Sequence, residues 1–177
     1  MNYGAIKNCD IANGPGVRVS LFVSGCAHHC PGCFQPETWD FNYGKPFTNE
    51  TIKDILALLE PEYIAGLTIL GGEPMDPHNL EEVFKLVYTV RDLMPTKTIW
   101  IYSGSTYEEL IEGQDYDGLD GWLTKRILET VDILVDGPFI EAQKNIGLQF
   151  RGSENQRIID LRKTEKQGEV ILWKEGC

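Results

Sequence analysis

Three of the chain's five cysteines fall within eight residues, in Cys26-Ala27-His28-His29-Cys30-Pro31-Gly32-Cys33. Thiolates are soft metal ligands, so clustering of this kind points to metal or redox chemistry more than to packing. A loop with spacings of three and then two residues can wrap one iron–sulfur cubane. Such a cluster ordinarily takes four cysteines, so three local ones leave an iron open to an outside ligand. The rival reading is zinc bound by the three cysteines and either His28 or His29. A chance grouping is the third. Structural zinc sites usually come as two separated cysteine pairs, and no second pair is found here. His28 and His29 read as residues that orient the loop or face solvent.

Gly71-Gly72-Glu73-Pro74 comes about 40 residues later. Paired glycines tolerate positive φ and let a ligand approach the backbone, and Glu73 supplies a carboxylate. On its own, Gly-Gly-Glu-Pro is also what an ordinary turn after a strand looks like. Asn13-Gly14-Pro15-Gly16-Val17-Arg18 reads as a tight turn before a strand, and Arg151-Gly152-Ser153-Glu154-Asn155-Gln156-Arg157 as a polar loop before a late strand.

The elements that must position these residues alternate. Strands are expected at Val17–Val23, Leu67–Leu70, Thr98–Tyr102 and Ile133–Val135, and two more at Arg157–Leu161 and Glu169–Trp173. Thr48 and Asn49 begin a helix carrying Ile52, Ile55, Leu56 and Leu59 on one face. Asp76-Pro77 opens another with Leu80, Val83, Phe84 and Val87. Tyr107 to Glu129 reads as helix interrupted around Gly113 and Gly118. This alternation implies an α/β fold with mostly parallel strands and right-handed crossovers. The 177 residues are too few for a closed eight-unit barrel, which needs about 250. The expectation is one domain over residues 1–177, a partial, open βα barrel of about four to six mostly parallel strands. Ligands in such folds gather at the C-terminal ends of the strands. The cysteine loop, Gly71-Gly72-Glu73, Ser103-Gly104 and Asp136-Gly137 all fall there.

Composition narrows the class. Hydrophobic residues make up 42% and charged ones 24%, as in ordinary globular proteins. No apolar run approaches the roughly 20 residues a bilayer requires. The N-terminus lacks the basic-then-apolar layout of a signal peptide, so a cytoplasmic location without membrane contact is expected. The net charge of −11 repels phosphate backbones and argues against nucleic acid as a partner. Residues 141–177 hold seven Lys/Arg against six Asp/Glu, so the preceding 140 residues carry −12. An odd number of cysteines argues against a disulfide framework. Cys9 reads as a small buried hydrophobe and Cys177 as exposed. Trp39, Trp100, Trp122 and Trp173 read as core or interface anchors.

The cysteine loop after a first strand, together with Gly71-Gly72-Glu73-Pro74 at the end of a second, resembles the radical S-adenosylmethionine enzymes. Gly14-Pro15-Gly16-Val17-Arg18 is similar to the segment preceding the first strand in their glycyl-radical activating branch. Arg151–Gln156 resembles a segment of those members that act on anaerobic ribonucleotide reductase, as do Leu21–Gly25, Pro31-Gly32 and Val135-Asp136-Gly137. The likeness runs from about Asp10 to Arg157, is weaker over residues 105–130, and is absent after about 162. It implies a [4Fe–4S] cluster on Cys26, Cys30 and Cys33. It also implies an S-adenosylmethionine site drawn from Gly32, Cys33, Phe34, Gly71, Gly72 and Glu73, with Ser103 and Asp136 as further polar contacts. Phe34 stands where these enzymes often have tyrosine, which removes a hydroxyl but keeps the ring. The implied activity is reductive cleavage of S-adenosylmethionine to a 5′-deoxyadenosyl radical, which makes a glycyl radical on a protein partner. The implied partners are the anaerobic ribonucleotide reductase catalytic subunit and an external electron donor. Activation of another glycyl-radical enzyme, such as pyruvate formate-lyase, is the alternative within the class. A non-catalytic zinc-binding adaptor is the alternative outside it. Residues 151–157 and the basic tail are expected to help dock the reductase.

Overall fold

The structure, a computed structural model, describes residues 1–112 and 118–174. Its strands are β1 (Asn2–Asp10), β2 (Val17–Val23), β3 (Lys45–Pro46), β4 (Ile64–Gly71), β5 (Thr98–Tyr102), β6 (Ile133–Asp136) and β7 (Arg157–Asp160). Its α-helices are α1 (Asn49–Leu59), α2 (Pro77–Leu93), α3 (Tyr107–Glu112), α4 (Leu119–Thr130) and α5 (Leu161–Gln167). All seven strands form one open sheet in the order β3-β1-β2-β4-β5-β6-β7. The central pairs β2–β4, β4–β5 and β5–β6 are parallel. The edges are antiparallel: β1 with β2 and β3, and β7 with β6. The sheet is therefore mixed, with more strands than the expected four to six and only its centre parallel.

Each difference has a local cause. β1 lacks a clean apolar alternation because it lies near the sheet edge, where most of its residues are half-exposed or exposed. Cys9, expected inside, is exposed in this strand and sits at φ +59°. The expected strand Glu169–Trp173 is an extended stretch after α5 that touches the sheet at one bridge, Ile159 to Leu172. The Asp160 side chain caps α5 by accepting from the Lys163 N–H, and Gly168 ends it at φ +72°. The interruption between α3 and α4 ends at Gly118, which N-caps α4; Gly113 lies outside the described residues. Thr48 caps α1 and Asp76 caps α2, with Pro77 in the first turn.

Alternation along the central strands sorts their side chains between two layers. Val19, Leu21, Val23, Leu67, Ile69, Ile99, Ile101 and Leu134 join the apolar stripes of α1, α2 and α4 in the main core. Trp100, Ile133 and Val135 form a second cluster with Tyr102, Phe150, Ile158 and Trp173. Arg18 is fully buried. Its guanidinium donates to Thr68 Oγ1 at 2.7 Å, Thr98 Oγ1 at 2.9 Å, the Leu67 carbonyl at 2.8 Å and the Thr98 carbonyl at 3.0 Å. It thereby ties β2, β4 and β5 together at the end away from the cysteine loop. Burial lowers its pKa to about 10. Hydrogen bonds offset the cost of placing this charge inside. Among the described residues no helix is long and apolar enough to cross a membrane.

We expect Ile101→Ala to cost about 2–5 kcal/mol in urea unfolding, because Ile101 has no exposed surface. Ile11→Ala, at 72% exposure, should stay within about 0.5 kcal/mol.

Candidate cofactor site

The four parallel strands end at Val23, Gly71, Tyr102 and Asp136, and their loops surround one cavity of about 550 Å³. β2 runs directly into the cysteine loop. Ser24 N–H donates to the Asn2 carbonyl at 2.9 Å, Gly25 N–H to Thr38 at 2.8 Å and Cys26 N–H to Trp39 at 3.2 Å. The 3₁₀ turn Pro36–Trp39 thus closes the loop on its own start. Three residues adopt positive φ to complete the path: Gly25 at +92°, His29 at +47° and Gly32 at +73°. Cys26 is buried, Cys30 and Cys33 are half-buried, and all three are free thiols that line the cavity.

Burial pushes the Cys26 thiol up to about 11, opposed by the His28 N–H and reinforced by the Glu73 carboxylate. A metal bound there must displace that proton, which couples binding to proton release. Among the described residues no three His, Cys, Asp or Glu side chains converge to hold a single metal ion. A cubane asks for something different, with its ligands on separate corners. Among the described residues neither histidine gathers with the thiols into a single-metal set. His28 Nε2 pairs with Glu73 Oε2 at 3.0 Å, and the His29 ring stacks on Trp39 at 4.7 Å. Three thiols around one open cavity fit an iron–sulfur cluster with an outside ligand better than they fit tetrahedral zinc.

The glycine loop lies against the cysteine loop through main-chain bonds. Gly72 N–H donates to the Val23 carbonyl at 2.8 Å and Glu73 N–H to the Gly25 carbonyl at 2.7 Å. A Cβ on Gly72 would come within 2.5 Å of that Gly25 oxygen, and Gly71 sits at φ +110°. These glycines are therefore required first by loop-on-loop packing, a different reason from the ligand approach read in the sequence. The Glu73 carboxylate is buried and held from three sides. Oε1 accepts from Met75 N–H at 2.9 Å, while Oε2 accepts from Gly104 N–H at 2.7 Å and pairs with His28. That hydrogen bond raises the His28 pKa.

The remaining expected residues separate. Phe34, Gly71, Gly72, Glu73 and Ser103 line the cavity with the cysteines; Gly32 and Asp136 do not. Ser103 Oγ accepts from Ser105 N–H at 3.0 Å. Asp136 is fully buried and committed elsewhere. It accepts from Arg157 Nε at 3.0 Å and from Tyr107 N–H at 2.7 Å, and Arg157 Nη2 bonds its other oxygen as well. Arg157 also reaches Glu108 at 2.6 Å, so this group braces β6 and β7 against α3. The polar segment before β7 is likewise folded back on itself. Arg151 donates to the Gln156 carbonyl, Gln156 Oε1 accepts from Gly152 N–H, and Asn155 Nδ2 donates to the Pro138 carbonyl.

Against known proteins, the family described as "4Fe-4S single cluster domain" matches residues 12–159. The anaerobic ribonucleoside-triphosphate reductase-activating protein of Vibrio cholerae is 42% identical over 160 residues, covering 89% of this chain and 97% of the relative. Its counterpart in Enterobacteria phage T4 is 39% identical over 160 residues, 89% and 93% of the two chains. That of Escherichia coli K12 is 38% identical over 164 residues, 92% and 100%. The chain belongs to this family of activating proteins.

One residue that joins the two loops belongs to no motif of the sequence. Asn79, in the first turn of α2, is fully buried, and its Nδ2 donates to the Ser24 carbonyl at 3.0 Å and the Glu73 carbonyl at 2.9 Å. It clips the two loops together. The only available signal was its place beside the buried Leu80 and Val83 on an otherwise polar first turn.

Two outcomes follow from these contacts. Asn79→Leu should cost about 1–3 kcal/mol, because buried carbonyls lose their donor. It should also lower iron retention, while Asn79→Gln restores part of both; iron content unchanged in a folded Asn79→Leu protein would contradict the clip. The Glu108 carboxyl is held below its ordinary 4.5, chiefly by the Arg157 hydrogen bond. A depressed pKa stabilises the fold above the unfolded value and ceases to do so as pH falls through the folded one. Between about pH 6 and about pH 3, wild type should therefore lose more stability than Glu108→Gln in urea titrations.

Proposed function

We propose that the chain is a radical S-adenosylmethionine activase that makes a glycyl radical on anaerobic ribonucleotide reductase. One observation carries this reading: Cys26, Cys30 and Cys33 share a cavity with Gly71, Gly72 and Glu73. In this reading the three thiolates hold a [4Fe–4S] cluster and leave one iron for the methionyl end of S-adenosylmethionine. A reduced cluster held there would supply one electron to break the sulfonium C5′–S bond, leaving methionine and a 5′-deoxyadenosyl radical that would take a hydrogen atom from the target glycine. The protein's part is positional. Gly71 and Gly72 keep the two loops in contact, and Glu73 presents a carboxylate already fixed by the Met75 and Gly104 N–H groups. Buried Cys26 closes the inner side of the site. The open mouth leaves room for a backbone glycine. An external one-electron donor is part of the proposal.

The relatives' printed names support the reductase as target. Cys26→Ala, Cys30→Ala and Cys33→Ala should each lose the oxygen-labile cluster, whereas Cys9→Ala keeps it. Iron and sulfide analysis of anaerobically purified protein checks this. Incubation of wild type with S-adenosylmethionine, a reductant and the reductase should yield a glycyl-radical doublet in electron paramagnetic resonance. Stoichiometric zinc, or a doublet on pyruvate formate-lyase alone, would contradict the proposal.

A further inference from the structure

Away from the cysteine and glycine loops, the same cavity has a rim of a different character. Lys7, Lys144 and Arg151 line it. Among the described residues none of the three forms an ion pair. The one acid in the lining, Glu73, has both oxygens engaged within the protein. These cations stand in a chain of net charge −11. Apolar side chains accompany them. Phe34 is 63% exposed, with the Lys144 ammonium 4.9 Å from its ring centre, and Ile146 is 96% exposed.

Lys144, Ile146 and Arg151 belong to the connection between β6 and β7, which is firmly braced. Asn145 N–H donates to the Gly152 carbonyl, Glu154 N–H to Gln143, and Ile140 N–H to Ser153 Oγ. Arg151 spends one N–H on the Gln156 carbonyl, which fixes the guanidinium and leaves other donors for an outside acceptor. A fixed rim pays little ordering entropy on binding. Lone exposed hydrophobes are ordinary, but an aromatic and an aliphatic beside unpaired cations at the mouth of a cavity form a complementary surface.

We propose that this rim docks an extended, acidic segment of the protein substrate, its carboxylates meeting Lys144 and Arg151 and its apolar side chains covering Phe34 and Ile146. The proposal rests on the activase reading and adds the chemistry of the partner. A nucleic acid would bring a ladder of phosphates against an acidic protein with three cations to offer, whereas an acidic peptide needs only a local match. Opposite charge at a rim mainly speeds association and makes it salt-sensitive.

The test uses the reconstituted wild-type holoenzyme, Lys144→Glu and Ile146→Ser, with intact reductase. Both positions are exposed, and circular dichroism verifies folding. Cleavage of S-adenosylmethionine by dithionite without reductase should stay within about twofold of wild type. The reductase concentration giving half-maximal glycyl radical should rise about tenfold or more in Lys144→Glu, with a weaker dependence on added salt. Ile146→Ser should raise it about threefold. An unchanged half-maximal concentration and salt dependence in Lys144→Glu would overturn the docking surface. So would an equal fall in reductase-free cleavage, which would assign the connection to the cofactor site. If wild type cleaves S-adenosylmethionine but leaves no radical on the reductase, the activase reading fails, and the docking surface falls with it.

Discussion

Everything at the cavity depends on how the ends of β2 and β4 are joined. Two main-chain bonds, Gly72 to Val23 and Glu73 to Gly25, extend the pairing of these parallel strands past their last residues. The cysteine loop and the glycine–glutamate loop are consequently one unit. Side chains reinforce the joint from both sides: Asn79 bonds Ser24 and Glu73 from α2, and His28 reaches Glu73 from within the cysteine loop. No Cβ can be accommodated at Gly72 without moving the carbonyl directly before Cys26. The spacing of two motifs some 40 residues apart in sequence thus becomes a fixed distance in space.

The rest of the sheet keeps that joint rigid. On the helix-facing side, Val19, Leu21, Leu67 and Ile69 lock β2 and β4 against α1 and α2. On the other side Arg18 reaches across three strands and answers its buried charge with hydroxyls and carbonyls in place of a carboxylate. Asp136 does comparable work at the end of β6, where Arg157 and the first turn of α3 meet. Arg18, Asp136 and Arg157 are thus braces of the fold.

Local signals were legible in the sequence. The strands at Val17 and Thr98, the caps at Thr48 and Asp76, and the cysteine spacing all follow from residue types within a few positions of each other. Features set by distant partners were not. β1 earns its place by pairing with β2 and covering an edge, which leaves no periodic apolar stripe to read. Glu169–Trp173 has strand-like residues but meets the sheet only at one bridge. Asp136 sits at a strand end where ligands gather, and only the approach of Arg157 from β7 reveals that its carboxylate is already satisfied. Asn79 is invisible for the same reason, since both of its acceptors lie in other loops.

The central claim is that the joined loops bring the methionyl end of S-adenosylmethionine to a cluster held by Cys26, Cys30 and Cys33. Electron–nuclear double resonance on the reduced holoenzyme tests it directly, using S-adenosylmethionine labelled with nitrogen-15 at its amino group. A coupling strong enough for direct bonding of that nitrogen to iron is the predicted result. A cluster spectrum that does not change when the labelled compound is added, with binding verified independently, would contradict the account.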